Sequence, residues 1–239
     1  MNTELYIRGI ILNNSKIERH DEYPFCLPVI RQLNSLDLQS RVTFFVGENG
    51  TGKSTLLEAI AVNYGFNPEG GSKNFNFSTY QSHSDLYQYI TLSKGIKKPK
   101  DGYFLRAESF YNVATEINRL GVSGYGNKSL HDQSHGESFM SLMLNRFLGN
   151  GIYILDEPEA ALSPSRQFGL LARMNDLVKE NSQFIIATHS PILLAFPHAE
   201  IFVLSENAIT STPYEQTEHY ILTKQFLNNT GKMLKELMD

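Results

Sequence analysis

The stretch "GENGTGKST", Gly47 to Thr55, constrains the fold of this chain more than any other. It matches the pattern G-x-x-x-x-G-K-[ST], follows the apolar run "RVTFFVG" and opens the helical pattern "KSTLLEAIAVNYG". A buried strand, a glycine-rich turn and a helix in this order indicate an α/β fold. In such a fold the turn lies beyond the carboxyl end of a mostly parallel sheet.

The residue types in this stretch suit a polyphosphate. Glycines let the backbone curl so that its N–H groups point inward, and the helix N-terminus adds partial positive charge. Lys53 can reach the β and γ phosphates, and Ser54 can place its hydroxyl on Mg²⁺. A glycine-rich turn with a chance lysine is the alternative, but the strand and helix on either side argue against it. The predicted nucleotide-binding residues are Gly47, Glu48, Asn49, Gly50, Thr51, Gly52, Lys53, Ser54 and Thr55.

Two later strand ends carry polar groups that a phosphate site needs. In "YILDEP", Asp156 ends an apolar run and is predicted to hold magnesium through water. Glu157 can accept the proton of an attacking water or orient it. His189 ends the next predicted strand, in "IIATHS", and can bind a γ-phosphate oxygen or the water. The alternatives are acids that solvate a strand end and a histidine buried in the core. We predict Lys53, Glu157 and His189 as the catalytic set.

Composition sets wider limits. A chain of 239 residues with 41% hydrophobic and 19% charged residues suits one globular domain, which we place at 1–239. The formal net charge of -4 does not support a surface built for nucleic acid, although Lys94 to Lys100, "KGIKKPK", is either a basic patch or a solvated loop. The single cysteine cannot form an internal disulfide. With no signal peptide and no long apolar run, we expect a cytoplasmic protein without a transmembrane segment.

Strand and helix patterns alternate along the chain, which predicts a mostly parallel sheet with an antiparallel β edge and a small helical lobe near 109–148. A helix is predicted after Ser163, with that serine as its cap and Pro164 in its first turn. Residues 66–103 are the least regular, with "NFNFSTY" as a candidate edge strand. The predicted strands are "ELYIRGIIL", "YPFCLPVI", "RVTFFVG", "GYFLRAE", "GIYILDEP" and "QFIIATHS", followed by a hairpin in "EIFVLSENAITST".

Together these motifs resemble the ABC-type ATPases, a family with a P-loop NTPase fold. The resemblance is greatest to the soluble branch of SMC, RecF and overcoming-lysogenization-defect proteins, and within it to short stand-alone bacterial ATPases. "GENGTGKST" resembles Walker A, and "YILDEP" resembles Walker B with Glu157 as the catalytic glutamate. "EAALSP" lies where the D-loop belongs, with Ser163 in place of its acid, and "ATHS" supplies the switch histidine, His189.

The stretch "QSHGES", Gln133 to Ser138, falls where that family has its signature motif. The resemblance implies that it lies over the γ-phosphate held by a second subunit. Ser134, Gly136 and Glu137 match the motif, whereas His135 replaces its first glycine. One rival is a metal site with His131 and His135 at i, i+4, which lacks a third ligand. Another is a Ser-His-Asp hydrolase formed by Asp132, Ser134 and His135, but three neighbours in sequence do not form a triad.

Two further sites follow from the resemblance. The family has a glutamine at a strand end that touches magnesium, and Glu108 in "GYFLRAES" stands there, with Gln81 as the alternative. The predicted metal ligands are therefore Ser54, Asp156 and Glu108. The candidates for binding the adenine are Lys16, Arg19 and Tyr23.

The resemblance implies an enzyme that binds ATP and Mg²⁺, forms a head-to-tail homodimer on ATP and hydrolyses it to switch an unknown effector protein, with nucleic-acid maintenance or phage defence as its setting. One alternative is the detached ATP-binding subunit of a membrane transporter, and another is an ATP sensor that does not hydrolyse. The interval between Thr55 and Gln133 lacks heptads, so no SMC-like coiled-coil arm is expected. The absence of an [NT]-K-x-D motif favours ATP over GTP.

Overall fold

The computed structural model describes residues 4–73, 84–106 and 135–239. Short 3₁₀ turns at Asn14–Lys16, Asp85–Gln88, Pro158–Ala161 and Tyr214–Gln216 join some of the elements. The strands are β1 Ile7–Leu12, β2 Ser35–Asp37, β3 Val42–Gly47, β4 Gly71–Ser72, β5 Ile90–Lys94, β6 Asp101–Arg106, β7 Gly151–Asp156, β8 Gln183–Ala187, β9 Glu200–Leu204 and β10 Ile209–Ser211. The helices are α1 Pro28–Gln32, α2 Lys53–Tyr64, α3 His135–Arg146, α4 Pro164–Lys179, α5 Pro191–Leu194, α6 Glu218–Asn228 and α7 Thr230–Met238.

A seven-stranded sheet in the order β10-β9-β3-β8-β7-β6-β4 forms the centre of the described chain. The five strands from β9 to β6 run parallel, while β10 and β4 pair antiparallel at the two edges. The predicted fold class is therefore confirmed. Ala187 of β8 pairs with Phe45 of β3 on one side and with Asp156 of β7 on the other. The carboxyl ends of these three strands consequently open onto the same edge.

Side chains of the central strands alternate between the two faces, as the pleat requires. Phe44 packs with helices α3 and α4 on one face, and Phe45 packs with α2 on the other. In the neighbouring β7, Tyr153 belongs to the first cluster and Ile154 to the second. Both faces are thus covered by helices, which explains why these strands read as continuous apolar runs in the sequence.

A second, antiparallel sheet in the order β2-β1-β5 packs beside the first. One side chain joins the two sheets. The completely buried amide of Gln183, at the start of β8, accepts hydrogen bonds from Tyr6 N at 2.8 Å and Ile7 N at 2.9 Å. It also donates to Ile7 O at 2.8 Å. The N-terminal sheet is therefore fixed to the strand next to β3.

Some predictions about secondary structure were wrong. "YPFCLPVI" is not a strand, because α1 begins at Pro28, in the first-turn position that proline favours. Strand β8 ends at Ala187, so His189 lies two residues beyond the strand end. Strand β5 was not predicted. It lies in the irregular segment 66–103, where "NFNFSTY" was the candidate strand. That stretch and the part of the predicted lobe that precedes α3 lie outside the described residues.

Other local predictions were confirmed. α2 ends with Gly65 at its C-cap in a left-handed conformation (φ 102°), and β9 and β10 form the expected hairpin. Ser163 is the N-cap of α4 and Pro164 its first residue, although the serine side chain makes no capping hydrogen bond. Within the described ranges, no helix has both the length and the apolar character to cross a bilayer.

Candidate nucleotide site

The loop between β3 and α2 has the curled backbone that its glycines predict. Gly47 has φ 154°, and a side chain there would collide with the carbonyl oxygen of Leu204 in β9. Gly52 has φ 100°, and a Cβ at this position would lie 2.6 Å from Cγ1 of Val29. Both positions therefore exclude larger residues, one because of the adjacent strand and the other because of α1.

Lys53, the first residue of α2, is almost fully buried, at 4% exposure. Its Nζ donates to Gly47 O at 2.7 Å and to Glu48 O at 2.8 Å, so the ammonium lies across the loop. Burial lowers the pKa of this lysine, while the carboxylates of Glu157 and Asp156 oppose that shift. The positive charge is thus held inside the loop, where an anionic phosphate would be its natural partner.

Ser54 and Asp156 meet where the loop faces β7. The Ser54 hydroxyl donates to Asp156 Oδ1 at 3.0 Å, and Asp156 is 7% exposed at the last position of its strand. A hydroxyl and a carboxylate at this separation offer the hard oxygen ligands that Mg²⁺ prefers. The two residues fit the predicted magnesium site in chemistry and in position beside the phosphate loop.

Glu157 leaves the sheet in a left-handed conformation, with φ 49°. Its backbone N–H donates to Ala187 O at 2.9 Å, which continues the ladder between β7 and β8 by one residue. The 3₁₀ turn Pro158–Ala161 then carries the chain away. This turn leaves the Glu157 side chain partly exposed at the carboxyl edge of the sheet, where a water could reach it.

His189 lies next to Glu157, with 3.7 Å between its Nε2 and Glu157 Oε1. Its backbone N–H donates to Glu159 Oε1 at 2.6 Å, which fixes the segment after β8. Its Nε2 is buried and has no hydrogen-bond partner among the described residues. Burial and the nearby Lys53 lower the pKa of this histidine, and Glu157 only partly opposes them, so the ring is neutral at pH 7.

Two neighbours of His189 were missed from the sequence. Glu159 holds its backbone, and His219, in α6, approaches its other ring nitrogen at 3.4 Å. Burial raises the pKa of Glu159, while hydrogen bonds from the His189 backbone and the Thr188 side chain lower it. Glu159 stands two residues after Glu157 and could have been suspected from that spacing. No sequence pattern links His219 to the site.

The predicted signature lies partly in the described chain. α3 begins at His135, so the stretch does open a helix, but Ser134 lies outside the described residues. A Cβ on Gly136 would lie 2.7 Å from Ala161 O in the turn after Glu157. Glu137 Oε1 is 3.5 Å from Arg166 Nη2 of α4. Gly136, the predicted signature glycine, therefore packs closely on the predicted D-loop of its own chain.

Several candidates lie in parts of the chain that the structure does not describe. Glu108 and Gln81, the alternatives for the magnesium-contacting strand-end residue, lie outside the described residues, as do His131 and Asp132 of the rival sites. No cluster of three potential metal-binding side chains (His, Cys, Asp or Glu) occurs in the ranges that the structure describes.

Of the three adenine candidates, Tyr23 contacts the last residue of the stretch Gly47–Thr55. Its hydroxyl is 3.5 Å from Thr55 Oγ1, and the residue is 63% exposed. Arg19 is exposed and forms an ion pair with Glu22, and Lys16 ends a 3₁₀ turn. An exposed aromatic ring at the rim of the phosphate loop is suited to stacking on a base.

The fold and the site together define a P-loop nucleotide-binding protein: a mostly parallel sheet, a glycine loop with a buried lysine, and a serine beside the aspartate that ends β7. Comparisons with known proteins give the family. Residues 25–190, more than half of the chain, match the family described as AAA domain (AAA_23). The chain belongs to this family and is an ABC-type P-loop ATPase.

The individual relatives have low sequence identity to this chain. The chain is 25% identical over 215 residues to the energy-coupling factor transporter ATP-binding protein EcfA of Methanothermobacter thermautotrophicus, covering 81% of this chain and 68% of that protein. It is 27% identical over 165 residues to the thiamine import ATP-binding protein ThiQ of Vibrio cholerae, covering 62% and 68%. The structure of cbiO1 from Clostridium perfringens, part of the ABC transporter complex cbiONQ, aligns with a TM-score of 0.50 at 17% identity, covering 97% and 99%. That likeness supports the fold.

Proposed function

We propose that this chain binds Mg-ATP in the loop Gly47–Thr55 and hydrolyses it as half of an ATP-dependent dimer. The observation that carries the proposal is the meeting of Ser54 and Asp156 at 3.0 Å beside the buried Lys53. These side chains come from distant parts of the chain and converge where the loop could cradle a polyphosphate. Glu157 and His189 stand at the same edge.

Each side chain then has a defined task. The loop N–H groups and Lys53 bind the β and γ phosphates, while Ser54 and Asp156 hold Mg²⁺. When bound, Mg²⁺ neutralises charge on the phosphates. Glu157 accepts the proton of the attacking water, and its partly exposed carboxylate leaves room for that water. His189 donates from Nε2 to a γ-phosphate oxygen, which would satisfy an otherwise unpartnered buried nitrogen.

The dimer would place the signature of one chain over the nucleotide of the other. His135, Gly136 and Glu137 open α3, and Ser134 precedes them in the motif. A helix N-terminus with small residues suits a phosphate from a neighbouring subunit. Each composite site would then need both chains, and ATP would join them.

The relatives support a membrane transporter as the partner better than nucleic acid. EcfA and ThiQ are described as ATP-binding proteins of a transporter and of thiamine import. The net charge of -4 gives no support to a nucleic-acid partner. We therefore propose an ATP-binding subunit that drives a separate membrane protein. A capture experiment with Glu157→Gln protein in Mg-ATP tests this proposal, and it should recover a membrane protein. Recovery of nucleic acid instead would support the SMC- and RecF-like setting.

ATP binding is tested by thermal unfolding with and without Mg-ATP. A ligand at about one hundred times its Kd stabilises a protein by about 2.7 kcal/mol. The wild-type chain and a control, Lys98→Ala in the exposed loop after β5, should gain this stabilisation. Lys53→Ala should lose it, because the variant lacks the buried ammonium in the loop. Equal stabilisation of Lys53→Ala and Lys98→Ala would refute the phosphate site.

A further inference from the structure

His219 contacts the histidine that faces the site. It is the second residue of α6, and its Nε2 lies 3.4 Å from Nδ1 of His189. The opposite nitrogen of His189, Nε2, is the one that lies 3.7 Å from Glu157 Oε1. The described chain therefore places three groups in a row: His219, His189 and the carboxylate of Glu157. His219 comes from a helix that contributes nothing else to the site described above.

Both rings are neutral at pH 7, and this limits how they can pair. Burial lowers the pKa of His219, as do the adjacent His189 and Lys53, against smaller opposing effects of Glu218 and Glu159. Burial and Lys53 act in the same direction on His189. Between two neutral imidazoles, one nitrogen must donate and the other accept. Two arrangements of the protons are then available.

The nearby carboxylate of Glu157 favours one of the two proton arrangements over the other. If His189 donated from Nδ1, its Nε2 would carry a lone pair directed toward a carboxylate oxygen 3.7 Å away, which is repulsive. If His219 donates from Nε2, His189 carries its proton on Nε2 and presents an N–H to that edge of the site. The second arrangement has favourable electrostatics throughout. It also supplies the donor that a γ-phosphate oxygen requires.

The start of α6 is held well enough for this contact to persist. Thr217, its buried N-cap, accepts from Tyr220 N at 3.3 Å and donates to Tyr214 O at 2.7 Å. The Tyr214 hydroxyl in turn donates to Pro191 O at 2.9 Å, two residues after His189. His219 and the segment that carries His189 are therefore joined by a second, independent contact.

We propose that His219 is a positioning residue for ATP hydrolysis: its Nε2–H holds His189 in the tautomer that presents Nε2–H to the nucleotide. The inference depends on the proposed function, since it assigns His189 to a phosphate oxygen. It adds α6 to the catalytic apparatus through the contact of His219 with His189. The class of ligand served is the terminal phosphate of a nucleoside triphosphate.

Two variants of similar shape test the role. His219→Gln places an amide N–H donor near the position of Nε2, whereas His219→Met has a comparable length and no donor. We expect kcat to fall about tenfold in His219→Met with KM for ATP nearly unchanged, as for other residues that orient a catalytic group from behind. His219→Gln should retain at least half of wild-type kcat. Adding His219→Met to His189→Ala should cause no further loss.

Nitrogen chemical shifts of ¹⁵N-histidine-labelled protein give a readout that needs no ATP. His189, assigned by comparison with His189→Asn, should be the neutral Nε2–H tautomer in the wild type and in His219→Gln, and a mixture in His219→Met. An Nδ1–H tautomer in the wild type, or equal kcat in the Gln and Met variants, would overturn the role of His219. A wild-type chain that shows the Nε2–H tautomer but no ATPase activity would instead overturn the proposed function.

Discussion

The backbone conformation of Glu157 determines where its side chain lies in the candidate site. A non-glycine residue with φ 49° costs about 1 kcal/mol relative to an ordinary conformation, and such strain is concentrated at functional positions. Here the N–H bond to Ala187 O and the following 3₁₀ turn hold the residue in place. The strain turns the chain sharply at the end of β7. The Glu157 carboxylate therefore stays beside His189 rather than continuing along the sheet.

Replacing Glu157 with glutamine should separate binding from hydrolysis. Glutamine keeps the size and the backbone requirement but cannot accept a proton, so turnover should fall by about 10²–10⁴. Stabilisation by Mg-ATP should survive, and an ATP-bound dimer should accumulate on a sizing column. The matched control is Glu206→Gln, in the exposed turn between β9 and β10, which should behave as wild type. Undiminished phosphate release from Glu157→Gln would remove this residue from catalysis.

The histidine pair predicts how stability depends on pH. His189 and His219 have a pKa below the ordinary value in the folded chain, so the unfolded chain binds more protons below about pH 6.5. Their contribution to stability is therefore present above that pH and is lost as the pH falls toward the folded pKa. Urea unfolding of the wild type at pH 8 and pH 5.5 should show this loss.

The double variant His189→Asn, His219→Gln removes both titrating rings and serves as the comparison. It should lose less stability between the two pH values than the wild type does. A wild-type dependence that persisted in the double variant would mean that other groups cause it.

At the scale of single residues, local sequence patterns predicted much of what the structure brings together. The strand, the glycines and the lysine of the phosphate loop are contiguous, so their geometry follows from neighbours. Asp156, Glu157 and His189 follow apolar strands whose ends must meet in a parallel sheet. His219 could not be predicted this way, because its position depends on how α6 packs on the turn that contains Tyr214.

At the scale of elements, the errors arose where local preference and tertiary context disagree. The apolar run "YPFCLPVI" has the composition of a strand, yet α1 packs near the phosphate loop, with Val29 against Gly52. Strand β5 was not recognised because "YITLSK" is short and amphipathic, and it becomes a strand by pairing with β1. Tertiary contacts decided both segments: packing for α1 and strand pairing for β5.

Gln183 should be unusually important for joining the two sheets. Its buried amide makes three hydrogen bonds to the backbone of Tyr6 and Ile7, and removing it leaves those groups unsatisfied in the interior. We expect Gln183→Leu to lower the free energy of unfolding by about 3 kcal/mol. Urea denaturation measures the loss.

An exposed glutamine provides the comparison for Gln183. Gln32→Leu removes a long, exposed bond to Glu206 O at 3.4 Å and should change the free energy of unfolding by less than about 0.5 kcal/mol. If Gln183→Leu were as stable as Gln32→Leu, the two sheets would not depend on this side chain. The N-terminal sheet would then be held by its apolar contacts alone.

At the scale of the whole molecule, the proposed dimer makes a prediction about mixtures. Lys53→Ala disables the phosphate loop, and Ser134→Arg blocks the signature, so each variant alone should be inactive. In a heterodimer of the two, both defects fall in one composite site and the other site is intact throughout. We expect the mixture to recover up to about half of wild-type ATPase activity, provided that one site can act without the other.

Chemical cross-linking detects the heterodimer even if neither of its sites can hydrolyse ATP without the other. The mixture should form cross-linked heterodimers in the presence of Mg-ATP even if hydrolysis stays low. Either variant alone should form fewer. Absence of both ATP-driven cross-linking and hydrolysis in the mixture would exclude a signature that acts on the neighbouring chain.

The position of β3 in the sheet has a consequence for how the chain folds during its synthesis on the ribosome. This strand supports the phosphate loop, and both of its hydrogen-bonding neighbours, β8 and β9, are synthesised much later. Until they emerge, the nascent chain carries an apolar strand with two open edges, which is a template for aggregation. Closing such long loops also slows folding. The nucleotide-binding loop can therefore be built only after β8 and β9 have emerged from the ribosome.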